Sequence, residues 1–455
     1  MIKIFPLLLL ACLATLSFAN EPSPNYKARY YLSLRGVQGQ GLDRLDLGRP
    51  EENEGRVRAG LRYWRKLGQR WKFNTDLRVV YLYQKLKNLR SLPGQNTAND
   101  IYFEARQLYL EAPYLWDDLP LGILLGRKQF RDPRSWWYDN QLDVLQLQFN
   151  TTLLTGELAF GGRVVEERQA GSAEEQTGLK DSMFVIGHLD HHYYYGHHVE
   201  GYLIYENSDV KKNQIGRVVS MNEIIRPKSE MVWIGARAHG TWKIDPASSI
   251  RYWLDAGTVV GQSQNLSFEQ EKPGKLRVNG FETFDVNGGI GFDIGAAWFF
   301  HNETIGLAFD YALGTGKGND NLYLQPSIAN NKGRLFGTIR YRYYGEFLNP
   351  NLSNLQIISG FAGIKLAEQI WLEAAYHHYR QLNPENRLRA ARLSIAPNGQ
   401  DEHIGDAVDL VIGGRWGERA KLQFVASGFR GGNAYRHQLS SRYAYRLTTT
   451  LTFYW

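Results

Sequence analysis

Residues Tyr443 to Trp455 read Tyr-Ala-Tyr-Arg-Leu-Thr-Thr-Thr-Leu-Thr-Phe-Tyr-Trp. Tyr443, Tyr445, Leu447, Thr449, Leu451, Phe453 and Trp455 share one parity; Ala444, Arg446, Thr448, Thr450, Thr452 and Tyr454 share the other. Strand side chains alternate between faces, so one face is mainly apolar and aromatic and the other small, polar or charged. Such a strand lies between two different solvents. At the edge of an open sheet it would invite aggregation. A barrel removes the edge by pairing the last strand with the first.

The final aromatic, preceded by alternating apolar residues, resembles the terminal signal of bacterial outer-membrane proteins. The other end agrees. Met1-Ile2-Lys3 is a short positive start, Ile4 to Phe18 is nearly continuous apolar sequence, and Ser17-Phe18-Ala19 places small residues before a cleavage at Asn20. Residues 1–19 therefore read as a secretory signal peptide, and 20–455 as a single barrel domain. Leu9-Leu10-Ala11-Cys12 also resembles a lipoprotein box, but acylation there would leave Leu13 to Ala19 as an apolar remnant. Cys12 is the only cysteine. Its removal with the signal would exclude disulfides and cysteine-based metal sites.

About 436 residues would remain, enough for several soluble domains or one large barrel. No later stretch is long and apolar enough for a membrane helix. Aromatic residues make up 13% of the chain and glycines number 46. This suits a barrel, which needs aromatic girdles at both interfaces and small residues where strands curve. A net charge of +7 is modest, so its distribution matters more than its size, and it gives no reason to invoke nucleic acid.

Sorting by parity gives the same answer along the chain. Ala28, Tyr30, Leu32 and Leu34 oppose Arg29, Tyr31, Ser33 and Arg35; Val57, Ala59, Leu61 and Tyr63 oppose Arg56, Arg58, Gly60 and Arg62. The pattern recurs at Phe73–Tyr81, Val232–Arg237, Ile250–Asp255, Leu335–Tyr343 and Val408–Trp416. Repeated period-two alternation over about ten residues predicts an all-β, transmembrane antiparallel β-barrel. Segments 119–129 and 143–150 are apolar on both faces. Lys66–Arg70 and Leu366–Gln369 read as tight turns, and the polar segments near 84–100, 164–181, 207–229, 262–280, 314–333 and 381–404 as outer loops. The segments give about nineteen strand candidates. Single-chain bacterial barrels have even numbers, so about 18 strands are expected.

If the apolar face meets lipid, the other lines a lumen. That face carries Arg29, Arg35, Arg56, Arg58, Arg62, Arg78, Arg237, Arg251, Arg340, Arg342, Arg415 and Arg446, against Asp76, Asp255, Asp310 and Asp409. Guanidinium groups in a confined pore attract anions and repel cations. They also pair bidentately with carboxylates while keeping their charge. A neutral network that only stiffens the wall would hold more acid.

Two long segments and one short one resemble the alginate export porins of the bacterial outer membrane. Leu125 to Asp139 (Leu-Gly-Arg-Lys-Gln-Phe-Arg-Asp-Pro-Arg-Ser-Trp-Trp-Tyr-Asp) resembles the family's Gly-Arg-Gln stretch followed by Asp-x-Arg-x-Trp-Trp-Tyr-Asp, with Lys128 interrupting the first run. Arg340 to Leu355 resembles its Arg-Tyr-Tyr-Gly-Glu with a downstream Pro-x-Leu-Ser-Asn-Leu. Gly405-Asp406-Ala407-Val408-Asp409-Leu410 is a shorter match. The resemblance implies an eighteen-stranded barrel passing a polyuronate outward through an arginine-lined constriction, with Arg127, Arg131 and Arg134 added by motif to the arginines above. Its partners would be an anionic, alginate-like polysaccharide, the outer-membrane lipid and lipopolysaccharide, and periplasmic proteins of a secretion complex. A monomer without cofactors is expected. Trp136, Trp137 and Tyr138 read first as rim or loop packing and second as sugar-stacking platforms. A general or small-anion porin moving small carboxylated solutes is the other reading of the same arginines.

The remaining constellations carry less. His188, His191, His192, His197 and His198 surround a hairpin with Asp190. Alternation sends His191 and His192 to opposite faces, and an interface-level turn explains these residues without a metal. Gly314-Thr315-Gly316-Lys317-Gly318 lacks the spacing of a phosphate loop and reads as a flexible outer loop. No strand pairs serine with histidine at hydrolase parity, so no enzyme is expected.

Overall fold

A computed structural model describes residues 25–40, 51–86, 96–116, 119–164, 182–208, 216, 218–220, 229–272, 275–317, 321–389, 391–393, 396–435 and 443–455. The signal segment 1–19, with Cys12, lies outside the described residues, as do parts of the outer loops.

Twenty-one strands are described. They run β1 Tyr26–Gln40, β2 Glu51–Leu67, β3 Trp71–Leu86, β4 Asn96–Ala112, β5 Leu121–Arg131, β6 Asp139–Asn150, β7 Leu154–Gly162, β8 Ser182–Tyr194, β9 His197–Ser208 and β10 Val218–Ser220. There follow β11 Ser229–Asp245, β12 Ser248–Lys272, β13 Lys275–Phe300, β14 Ile305–Gly314, β15 Lys332–Gly333, β16 Tyr341–Arg342, β17 Leu355–Ala367, β18 Ile370–Arg380, β19 His403–Trp416, β20 Ala420–Gly431 and β21 Tyr443–Tyr454. Eighteen of these form the wall, each antiparallel to its neighbours. The three short strands do not: β10 pairs with the outer part of β13, and β15 pairs only with β16.

The terminal strand behaves as its alternation requires. It pairs with β20 on one side and with β1 on the other, from Tyr31 opposite Tyr454 to Gln40 opposite Tyr445. The Tyr30 N–H donates to the Trp455 carbonyl at 2.9 Å, which closes the sheet. Both ends of the wall lie at the end with the short turns, including those at 68–70, 195–196, 368–369 and 417–419. In outer-membrane barrels this end is periplasmic and the long connections are external. Outward-facing Trp71, Trp242, Trp298 and Trp416 sit near the short turns, where an aromatic belt meets the lipid interface. Phe103, Leu125, Ile234, Phe309 and Val408 are exposed on the outer wall.

Residues 121–129 and 143–150 fall within β5 and β6, as wall strands, and 119–120 belong to the turn before β5. Their inner face is apolar because it packs against protein: Leu124, Leu142 and Val144 belong to a buried cluster inside the barrel. That cluster exists because two outer-end connections fold inward. One is 132–138, between β5 and β6. The other lies between β14 and β17 and comprises, among the described residues, 315–317 and 321–354. Leu335–Tyr343 is therefore not a wall strand, and 314–333 is not an outer loop. Leu335, Ile339 and Tyr341 are buried inside the barrel, while Thr338, Arg340 and Arg342 face a cavity.

Candidate functional site

The inward loops are seated by the wall. Gly235 and Gly257 face inward on β11 and β12, and a Cβ at either would fall within 2.5 Å of the Trp137 ring. Gly306 and Gly363 leave the same space for Phe336. Trp137 stacks on Tyr202 with ring centroids 4.7 Å apart, and its Nε1 donates to Asp255 at 3.2 Å. Trp136 Nε1 donates to the Tyr344 hydroxyl at 3.0 Å, and Tyr138 donates to Glu157 at 2.8 Å. All three rings are buried within the lumen. The expectation of loop packing holds, but the rim does not.

The same loop explains two arginines and two aspartates of its motif. Asp132 Oδ2 accepts the N–H groups of Trp137 and Tyr138, at 2.9 and 3.0 Å, which folds the turn. Arg134 Nη2 donates to both oxygens of Asp293 at 2.8 Å, with carboxylates of Asp255 and Asp310 at 3.6 and 3.5 Å. Its guanidinium also lies 4.3 Å from the ring centroids of Trp253 and Tyr343. Arg237 is fully buried and holds Asp255 at 2.7 Å and Asp132 at 2.8 Å. Asp139 receives Arg131 at 2.7 Å and Arg340 at 3.3 Å. The two motifs, distant in sequence, thus meet through Arg340–Asp139 and Trp136–Tyr344. Glu346 completes the second: its carboxylate takes the Arg342 N–H at 2.9 Å, and its own N–H donates to Asp409 at 2.7 Å.

What the loops leave open is a cavity of about 760 Å³ between them and β1 to β6, β19, β20 and the end of β21. Its lining holds fourteen basic side chains and three acidic ones, Asp76, Glu104 and Asp139. Of the predicted residues, Arg35, Arg56, Arg58, Arg62, Arg78, Arg131, Arg340, Arg342 and Arg415 line it. Arg56, Arg58 and Arg62 project inward from one strand and span roughly 20 Å along it. A hollow of about 330 Å³ shares Arg62, Arg415, Lys421 and Tyr454 with the cavity and continues to the short turn at Gly417 and Glu418.

Six predicted arginines lie elsewhere: Arg29 lines the adjoining hollow, Arg446 is buried on β21, and four hold protein groups. Arg127 is buried in a two-pronged bridge to Asp143, at 2.9 and 3.0 Å. Arg134 and Arg237 anchor the loop. Arg251 donates to the Leu335 carbonyl at 3.1 Å and covers Phe299. Conversely, Arg106, Arg163, Lys332, Arg334 and Lys421 line the cavity without having been singled out in the sequence. Arg106 sits where a bulge opposite Asp76 and Leu77 breaks the alternation; Lys332 and Arg334 come from the inward loop. Burial pushes the Lys332 ammonium down to about 7, and the positive charges of Arg342 and Arg35 add to the shift. Glu104, which bridges Arg78 with both oxygens, was also missed.

One constellation escapes a search along single strands. Ser359, His377 and Asp409 lie on adjacent strands, with Ser359 Oγ 2.8 Å from His377 Nδ1 and His377 Nε2 3.4 Å from Asp409. All three are fully buried beneath the inward loop. Asp409 is occupied by the Glu346 N–H, so the group anchors the loop.

The model of the alginate export family matches residues 48–449. The chain belongs to that family. Its relatives include the alginate production protein AlgE of Pseudomonas aeruginosa, 23% identical over 70% of this chain and 66% of the relative. The protein of that name from Azotobacter vinelandii is 24% identical over 77% of each chain. That of Pseudomonas syringae pv. tomato is 19% identical over 64% of this chain, and the match spans only 58% of its length. Among solved structures, Acinetobacter baumannii OccAB1 superposes with a TM-score of 0.57 at 9% identity, covering 94% and 96% of the two chains. Pseudomonas aeruginosa OccK7 gives 0.56 at 9% identity, covering 95% and 99%. These likenesses concern the fold. A closed eighteen-stranded barrel of this family is a protein of the bacterial outer membrane.

Proposed function

We propose that this protein is a channel, not an enzyme, that exports a polyanionic polysaccharide, most simply alginate, through the arginine-lined cavity. The observation that carries this reading is the charge of the cavity, fourteen cations against three anions, with Arg62, Arg415 and Lys421 shared with the hollow that adjoins the short turn at Gly417 and Glu418. Alginate carries one carboxylate per sugar ring. A series of guanidinium groups offers it successive sites of similar strength, favourable enough to enter and weak enough to leave, which is what conduction requires. Exposed Arg62 and Arg415 meet the polymer at the inner mouth, and Arg58, Arg78, Arg131, Arg340 and Arg342 follow it inward. Arg127, Arg134, Arg237 and Arg251 hold the lumen in shape. Movement is passive diffusion along this track. In the cell, 1–19 is removed as a signal peptide, the monomeric barrel sits among lipid and lipopolysaccharide, and periplasmic proteins of a secretion complex deliver the polymer.

The inward loops narrow the lumen, which favours a second reading, a porin for small carboxylated solutes. Proteoliposomes loaded with labelled mannuronate oligomers of graded length separate the two. Export predicts release of long oligomers with retention of neutral dextran of equal length. Release limited to one or two sugar rings selects the small-anion porin. Equal release of dextran contradicts both.

A further inference from the structure

The structure splits the histidine-rich hairpin by face. His191 is exposed on the outer wall, and His197 packs among Trp242 and Tyr252 there. Asp190, His192 and His198 point into the lumen near the short turn at Gly196, where φ is +74°. Asp190 and His192 are two residues apart on β8, and His198 lies directly across from His192 on β9. Positions i and i+2 with a cross-strand neighbour share one face of a sheet, and the tight hairpin fixes their separation. His192 Nε2 lies 3.1 Å from Asp190 Oδ2, and His198 Nδ1 lies 3.0 Å from Asp190 Oδ1. All three donor atoms fall within 4.8 Å of one another.

We propose that Asp190, His192 and His198 bind a divalent transition-metal ion of the zinc class at the periplasmic end of the lumen. Two imidazoles and one carboxylate form a borderline nitrogen–oxygen set, which suits zinc and its neighbours and not the all-oxygen preference of calcium or magnesium. The two imidazole nitrogens already converge on one carboxylate, so a cation inserted between them replaces two hydrogen bonds with three ligand bonds. The side chains are 39%, 17% and 25% exposed for His192, Asp190 and His198. That leaves the remaining coordination position open to lumen water. The site is braced from behind: His198 stacks on His239 at 4.7 Å and 9°, and His239 Nε2 is held by Glu200 at 2.6 Å. A metal with three protein ligands ties β8 to β9 and adds positive charge to the inner mouth.

A second group, His378, His403 and Asp406, has donor atoms equally near. It faces the outer wall, and Asp406 is already engaged by Tyr376 and His378 at 2.7 and 2.9 Å. It serves as an internal comparison. The test is isothermal titration of the detergent-solubilised, metal-stripped barrel with zinc chloride, alongside metal analysis after gel filtration. The proposal predicts one zinc per chain and a rise in unfolding temperature with free zinc. His192→Ala and His198→Ala each weaken binding by at least the roughly 10–100-fold that loss of a supporting partner costs. His198→Gln, which keeps a donor for Asp190, controls for folding, and all variants are checked for the heat-dependent gel shift of a closed barrel. His191→Ala and His378→Ala leave binding unchanged. Zinc binding that survives in the folded His192→Ala and His198→Ala variants, or that disappears in His378→Ala, overturns the proposal. So does the absence of stoichiometric binding at micromolar free zinc.

Discussion

The arginines of this barrel fall into two settings, those caged by buried carboxylates or loop carbonyls and those whose guanidinium groups line the cavity. Arg134 lies inside a ring of three aspartates whose side chains are essentially inaccessible. Removing it leaves buried carboxylates facing one another, so Arg134→Ala is expected to destabilise the fold by about 3–5 kcal/mol, measured by denaturant unfolding. Arg131 is 42% exposed at its pair with Asp139, and Arg131→Ala should cost less than about 1 kcal/mol while changing conduction. Equal losses for both would contradict this division. Gly257 makes a related prediction. A methyl group there meets the Trp137 ring, so Gly257→Ala should cost roughly 1–3 kcal/mol, and much of that loss should vanish in the Trp137→Ala background. Lys332 supplies a pH dependence. Its ammonium titrates at about 7, so it is charged below that pH and neutral above it. Preference for anions in bilayer recordings should fall as pH rises from 6 to 8, and Lys332→Met should remove that step.

Among the elements, the wall strands were legible and the inward loops were not. The terminal strand, β2, β3, β11, β12 and β19 each separate lipid from lumen, and alternation reports that separation directly. Leu335–Tyr343 has the same alternation for a different reason. It lies within the lumen between the apolar inner wall, which buries Leu335, Ile339 and Tyr341, and the wet cavity, which takes Thr338, Arg340 and Arg342. Two environments on two sides give one pattern wherever the segment sits, so parity identified its faces correctly and its place incorrectly. The paired motifs were visible as resemblance, but the contacts between them span about two hundred residues and leave no local periodicity. Nor could alternation find Arg106 beside its bulge, or tell Arg237 in its carboxylate cage from Arg58 on the cavity wall. The loop carries its own prediction. Replacing 318–350 with a short glycine–serine linker should raise single-channel conductance several-fold and weaken anion preference, since Lys332, Arg334, Arg340 and Arg342 leave with it. Unchanged conductance would mean that the segment does not narrow the passage.

At the scale of the whole molecule, the lumen is divided. One side, against β8 to β14, β17 and β18, is packed with Trp137, Tyr202, Trp233, Trp253, Tyr323, Phe336 and Tyr344. The other, against β1 to β6 and β19 to β21, is lined by cations and stays open. The dry side fixes the loops, and the fixed loops bring Lys332, Arg334, Arg340 and Arg342 to face Arg35, Arg56, Arg58 and Arg62 across the opening. A charged passage between fixed walls needs no moving part to be selective. The measurement that tests this most directly is the reversal potential of single channels in a salt gradient, before and after adding polymannuronate. An arginine track predicts clear anion selectivity, block by the polyuronate and not by neutral dextran, and both effects reduced in Arg58→Ala/Arg415→Ala. A cation-selective channel, or one that the polyuronate does not block, would contradict export through this passage.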